Sequence, residues 1–495
     1  MILREIMGGK GTSLSESQIK RIIFIALITV FLLGFFVRLF PIRTAFHYWD
    51  ETVYLQHAKI ISGGYDNYNE LDFRPLLLPV IISAGYVFTK SLIMAHFLVA
   101  LLASLGILAI FLLAKELFND RVALISSLVY AILPLNLLLA HDILVDSILP
   151  TFLIVTLFFA VKAFRGEKTR HYVLAAVFLA LSILLKFTSL TFVFVLLIAL
   201  YAVKRGSKES ILKAIKGLNW KGIAIGSAAF FATMAPYLIF SQIKYGFFLY
   251  TFIKANVIIG WDTFIPLKDM IRESPKLFPP ILAALGLFGL IPILKRKKMQ
   301  MGEIVVLGAI AIILGLTATV PHKELRYFMP LTPFLAMFSA KGIYTLAKVK
   351  NIQVKAILML ILIAILASNV SDLGELHTVK NLEYKKFIIG DDVPPIMASS
   401  LWIRDNTPQE AMVYSNFNWP VIAYYSERKL ELLPLFKPFE SNISEVMRLP
   451  GYLFISEESK DREPKLSFAM NDKRFDLIET FGEGQEKVYV FNYSE

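Results

Sequence analysis

The sequence predicts a polytopic α-helical membrane protein that carries a small α/β domain on one side of the bilayer. Three observations support that expectation. Of 495 residues, 56% are hydrophobic and only 18% charged. Soluble globular chains run to about 45–50% apolar and about 25% charged. Apolar runs near 20 residues long, enough to cross about 30 Å of hydrocarbon as helix, recur throughout residues 1–371. Residues 372–495 lose that pattern and alternate short helical and strand-like stretches. There is no cysteine, which excludes disulfides, a thiolate nucleophile and a thiolate metal site.

Eleven spans are expected, at about 22–41, 91–114, 122–140, 145–163, 172–186, 188–203, 222–241, 278–294, 302–320, 327–346 and 355–371. The pair around 172–203 abuts at Lys186, so its division is open. The first run is too long for a signal peptide, lacks a small-residue cleavage site and ends at Arg38 and Pro41.

Orientation follows from where the +12 net charge lies. Arg4, Lys10, Lys20 and Arg21 mark the N-terminus as cytoplasmic. Loops after the even-numbered spans repeat that signal, with Lys115 and Arg121, then Lys162 to Arg170, Lys204 to Lys221, Lys295 to Lys298, and Lys348 to Lys355. The opposite loops are poorer in Lys and Arg, as the positive-inside rule requires. The excess charge is therefore a topological label and a contact for lipid headgroups, and no nucleic-acid partner is expected. An odd number of spans leaves the C-terminal segment outside, so the chain is expected in the cell membrane with an extracytoplasmic tail.

Two further segments lie on the external side. The loop 42–90 holds an amphipathic stretch, Thr52 to Ser62, and an apolar piece, Leu76 to Phe88, that suits a re-entrant or interfacial helix. In the tail, a helix is expected over Ile396 to Asn406. Strands are expected at Ala411–Tyr414, Lys429–Leu433, Tyr452–Ile455, Phe475–Glu479 and Lys487–Phe491.

Charges at a membrane interface are costly, so they are functional candidates. Here they gather at external ends. Asp50 and Glu51 follow the first span in His47-Tyr48-Trp49-Asp50-Glu51, and Arg74-Pro75 comes later in the same loop. His141, Asp142 and Asp146 lie between spans three and four, and Lys186 between five and six. His322, Lys323, Glu324, Arg326 and Tyr327 lie between nine and ten. Carboxylates can accept a proton from a hydroxyl, and Arg and Lys can hold a leaving phosphate, so the set suits transfer from a phosphorylated lipid. Simpler roles stand beside this one. Lys186 can snorkel from a helix end, His141 can be a helix-end polar group, and Glu324 can pair with Lys323 or Arg326. Of the two aspartates, Asp146 is preferred because it lies deeper in an apolar run. Gly8-Gly9-Lys10-Gly11-Thr12 follows no strand and is not read as a phosphate loop.

These motifs resemble those of the GT-C glycosyltransferases, with dolichyl-phosphate-mannose–protein mannosyltransferases and lipid A aminoarabinose transferases as the nearest kin. Trp49-Asp50-Glu51-Thr52-Val53-Tyr54 resembles the Asp-Glu motif of the first external loop. Arg74-Pro75-Leu76 resembles a downstream Lys-Pro-Pro element, with two substitutions. His141 to Asp146 resembles the second acidic motif. His322 to Tyr327, with Pro330 and Pro333, resembles a late Arg-Tyr-x-x-Pro-x-x-Pro element. Trp402 to Pro408 and Tyr424-Tyr425-Ser426 are similar to the family's soluble tail.

The resemblance implies an inverting transferase that moves a monosaccharide from a polyprenyl (dolichyl) phosphate to a protein, glycan or lipid acceptor outside the cytoplasm. It implies Asp50 as general base, with Glu51 and Asp146 orienting the site. Arg74, Lys186, His322, Lys323, Arg326 and Tyr327 are then candidates for the donor phosphate. Asp50, Glu51 and Asp146 also offer hard oxygen ligands for Mg, Mn or Ca. The competing readings are an oligosaccharyltransferase-like enzyme and a transporter or flippase of polyprenyl-linked sugars. Transporters favour midplane charges and repeated halves, and neither is evident here.

Overall fold

The structure is a computed structural model and describes residues 15–40, 49–63, 74–166, 168–205, 217–258, 279–296, 298–319, 324–348, 395–415, 417–433, 446–456, 462–483 and 487–494. The membrane part opens with α1 (Glu16–Leu39), whose first turn is closed by a capping box between Ser15 and Gln18. It continues through α2 (Trp49–Ile61), α3 (Leu77–Gly85), α4 (Leu92–Leu117), α5 (Asp120–Ile132), α6 (Pro134–Ala140), α7 (Val145–Gly166) and α8 (Thr169–Leu185). A 3₁₀ turn (Phe187–Phe192) runs into α9 (Val193–Arg205). Then come α10 (Trp220–Tyr245), α11 (Tyr250–Ile258), α12 (Pro280–Phe288), α13 (Ile291–Arg296), α14 (Met301–Thr319), a second 3₁₀ turn (Leu325–Leu331) and α15 (Thr332–Ala347). Ser91 caps α4 and Asn119 caps α5, each accepting from first-turn amides that have no partner within the helix.

Six described helices are long and apolar enough to cross a membrane, or seven if α5 and α6 form one bent span. The described residues thus account for fewer full spans than the expected eleven. The fifth is the shorter α8, the eighth is divided between α12 and α13, and the start of the tenth is wound as 3₁₀ around Pro330. The eleventh, 355–371, lies outside the described residues. The abutting pair at 172–203 is two helices, separated by an extended Lys186. The piece read as re-entrant or interfacial is α3, too short to span, with Val87 and Phe88 strongly exposed beyond its end.

The bend between α5 and α6 is 54°, and its cause is local. Pro134 has no N–H, so the carbonyl of Tyr130 loses its helix partner. The buried Arg38 and Asn136 take its place, donating to that oxygen at 3.5 Å and 3.0 Å. Arg38 also holds the Gly34 carbonyl of its own helix at 2.9 Å. The chain that leaves α6 is the acidic turn itself, and its Ile143 amide donates to Glu51 of α2.

The tail forms α16 (Pro395–Asn406), β1 (Met412–Ser415), α17 (Trp419–Ser426), β2 (Lys429–Leu432), β3 (Gly451–Ser456), α18 (Arg462–Asn471), β4 (Phe475–Phe481) and β5 (Val488–Tyr493). The five strands make one mixed sheet in the order β2-β1-β3-β5-β4. β1 is parallel to β2 and β3, and β5 is antiparallel to β3 and β4. Alternation along the strands supplies both faces. Tyr414, Leu453 and Phe491 pack on one side, and Val413, Phe454 and Val490 on the other.

Close helix approach needs Gly342. A Cβ there would lie 1.7 Å from the Leu285 carbonyl oxygen, which is backbone and cannot give way. Ser339 bonds the Leu282 carbonyl across the same α12–α15 contact at 2.9 Å. Gly342→Ala should destabilise the membrane domain by roughly 1–3 kcal/mol, read as a lower thermal midpoint in detergent.

Candidate active site

The site is built on α2. Its sequence suggests an amphipathic helix with a wet face, but residues Asp50 to Ala58 are all buried. The correction has a structural reason. α3 and α17 of the tail domain both pack against α2. The helix that carries Asp50 and Glu51 is therefore enclosed between the two parts of the chain.

Asp50 is the centre. Its Oδ1 accepts from Arg74 at 2.5 Å and its Oδ2 from Arg326 at 2.6 Å. Burial works against the Asp50 charge, but Arg74 and Arg326 outweigh it and hold the carboxyl below the usual aspartate range. Arg326 also pairs with Glu324 at 2.6 Å, the local pairing that the sequence allowed. Burial opposes the Arg326 charge as well, and Asp50, Asp146 and Glu324 together more than compensate. The Arg74 guanidinium lies 5.6 Å from the ring centre of Tyr54. Tyr54 stands one helical turn after Asp50, so the two share a face of α2. Burial pushes the Tyr54 phenol up to about 12, so it stays protonated at neutral pH.

Glu51 ties the two acidic motifs together. Its carboxylate accepts the backbone N–H of Ile143 at 2.8 Å. His141 and Asp142 are buried in that turn. In the first turn of α7, Asp146 pairs with Lys186 at 2.6 Å. Lys186 therefore has an ionic partner and is not simply snorkelling. Its ammonium also sits 4.3 Å from the ring centre of Tyr327, and Arg326 lies on the same ring at 5.8 Å. Five segments far apart in sequence thus meet at one end of the helices. The structure brings Asp50, Glu51, Arg74, Asp146, Lys186, Arg326 and Tyr327 together. His322 and Lys323 lie outside the described residues.

Beside this cluster is a cavity of 230 Å³ with mostly apolar walls from α7, α9 and α14, including Leu149, Leu153, Val195, Ile313 and Leu316. Lys186 and Tyr327 are part of its lining. It offers an apolar slot with a cation beside it, and loop chemistry gave no sign of it.

The three carboxylates offered as metal ligands do not converge. Asp50 is engaged by two guanidinium groups, Glu51 by an amide and Asp146 by an ammonium. Among the described residues no three His, Asp or Glu side chains could hold an ion. In this arrangement the three carboxylates do not fit a shared divalent cation.

Residues 74–240 match the family of dolichyl-phosphate-mannose-protein mannosyltransferases. That stretch contains Arg74, Asp146 and Lys186. No curated protein matches by sequence. Among solved structures, ArnT from Cupriavidus metallidurans bound to undecaprenyl phosphate is similar with a TM-score of 0.65 at 14% identity, covering 94% of this chain and 97% of that one. The oligosaccharyltransferase AglB from Archaeoglobus fulgidus, in complex with an inhibitory peptide and a dolichol-phosphate, is similar with a TM-score of 0.56 at 13% identity, covering 94% and 74%. The apolar helices and the structural likeness agree: the chain is a multi-pass membrane protein that shares the fold of the ArnT and AglB structures.

Proposed function

We propose that the protein is a membrane glycosyltransferase that moves a monosaccharide from a polyprenyl phosphate to an acceptor hydroxyl, with inversion, on the extracytoplasmic side. The observation that supports it most is the junction of an acid–base cluster with an apolar cavity at Lys186 and Tyr327. A lipid phosphate needs both halves, a slot for its chain and cations for its head. Polyprenyl phosphates are bound by the similar ArnT and AglB structures, which supports the same donor class here.

In this reading Asp50 accepts the proton of the acceptor hydroxyl, whose oxygen attacks the anomeric carbon. The bond to the phosphate breaks on the opposite face, and the phosphate leaves with the electron pair. A carboxylate has about four lone-pair positions, and the two arginines occupy two, so Asp50 can still take a hydroxyl. Lys186 and Arg326 stabilise the developing phosphate charge. Asp146 holds Lys186 in place, Glu51 fixes α2 to the 141–146 loop, and Tyr327 provides a face for both cations. Arg74 keeps Asp50 ionised, and His322 and Lys323 remain candidates for the phosphate. A flippase would not need a carboxylate clamped by two guanidinium groups at the bundle end, where a transported sugar only passes.

The assay is transfer of label from a radiolabelled polyprenyl-phosphate sugar into a membrane extract. Asp50→Asn should lower kcat by about 10²–10⁴-fold, and full activity in that variant would contradict the base role. Lys186→Met should raise the donor KM about tenfold or more, because it removes a charge-assisted contact. The pH profile tests the clamp. Asp50 acts only when ionised, so its depressed pKa places the acid limb of kcat/KM at low pH. Arg74→Met removes one of the cations that depress it, so the limb should move to higher pH. An unmoved limb would show that another group sets it.

A further inference from the structure

Among the described residues, the tail domain meets the site helix at a built junction. Lys59, in the last turn of α2, donates to the carboxylate of Glu427 at 2.9 Å and to the backbone carbonyl of Tyr424 at 3.3 Å. Its ammonium also lies 4.0 Å from the centre of the Tyr424 ring. Tyr424 belongs to the tail in sequence, yet it packs against the hydrophobic core of the membrane domain.

The element that presents these groups, α17, is held in an unusual backbone. Both residues that flank it have positive φ without being glycine: Asn418 at 39° and Glu427 at 52°. Such conformations persist only where surrounding contacts enforce them, and they concentrate at functional sites. The enforcing contacts are present. Arg428, buried beside Glu427, donates to the carbonyls of Ser426, Arg404 and Thr407 and to the Thr407 hydroxyl. The tail thus locks the final turn of α17, and that turn holds Lys59.

From this geometry we infer that the Lys59–Glu427–Tyr424 junction is a positioning device: it makes the tail domain part of the catalytic unit by fixing α2, and through it Asp50 and Glu51. Lys59 lies about two and a half helical turns from Asp50 on the same helix, so a rotation or slide at the junction displaces the carboxylate from Arg74 and Arg326. Lys59 and Glu427 touch no substrate in this account. The partial exposure of the ion pair, 29% for Lys59 and 54% for Glu427, limits the charge contribution alone. The added carbonyl and ring contacts make Lys59 the stronger partner.

The inference rests on α2 being the site helix of the proposed transferase, and the test separates the two. Hydrogen exchange at the amides of 50–58 is followed in the full-length protein in lipid nanodiscs, together with binding of polyprenyl phosphate and the kcat of transfer. Lys59→Met should speed exchange across 50–58 by about tenfold and Glu427→Gln by about threefold, with Lys59→Arg close to the unaltered protein. The kcat should fall in the same order while polyprenyl phosphate affinity is unchanged, since Lys186 and Arg326 stand on other segments. Unchanged exchange in Lys59→Met, or a loss of phosphate affinity equal to the loss of kcat, would overturn the inference. The expected exchange pattern in a protein that transfers no sugar would support the junction and refute the transferase reading.

Discussion

The double ion pair at Asp50 organises the site. A carboxylate this buried is unstable alone, and two guanidinium groups from distant segments make it tolerable. The same contacts pin the chain at Arg74 and at the 3₁₀ turn after α14 against α2. Removing one partner would leave an uncompensated charge in a low-dielectric setting, so the three side chains stand or fall together. The arrangement also keeps the Asp50 carboxyl ionised, because both of its partners are permanent cations.

A second layer of contacts makes that triad possible. Pro134 breaks a helix ahead of the 141–146 turn, and Arg38 and Asn136 satisfy the carbonyl it leaves open. The Ile143 amide then meets Glu51. Asp146 holds Lys186 beside Tyr327 and the cavity. The tail closes over the other side of α2. Helix-breaking residues, costly elsewhere in a membrane, sit where they aim polar loops at one point.

Much of this was legible in the sequence because it depends on local signals. The five tail strands fall where alternation placed them, with ends differing by a residue or two. Examples are Lys429–Leu432 against an expected Lys429–Leu433, and Gly451–Ser456 against Tyr452–Ile455. The cost of charge near a bilayer singled out Asp50, Arg74, Asp146, Lys186 and Arg326, which the fold pairs with one another. What could not be read depends on tertiary partners. α17 was missed because its Val421, Ile422, Tyr424 and Tyr425 favour strands, and packing on α2 decides otherwise. The buried wet face of α2 was invisible for the same reason. Sequence also could not tell which carboxylate meets which cation. The pairing of Asp50 with two arginines, and of Asp146 with Lys186, is set by the tertiary fold.

The most direct test of the account is a structure of the protein with a polyprenyl phosphate bound. The account requires the phosphate within hydrogen-bonding distance of Lys186 and Arg326, with the isoprenoid chain along Leu149, Leu153 and Leu316 in the cavity. A phosphate held only by Lys295 and Arg296, which precede α14 while Arg326 follows it, would contradict it.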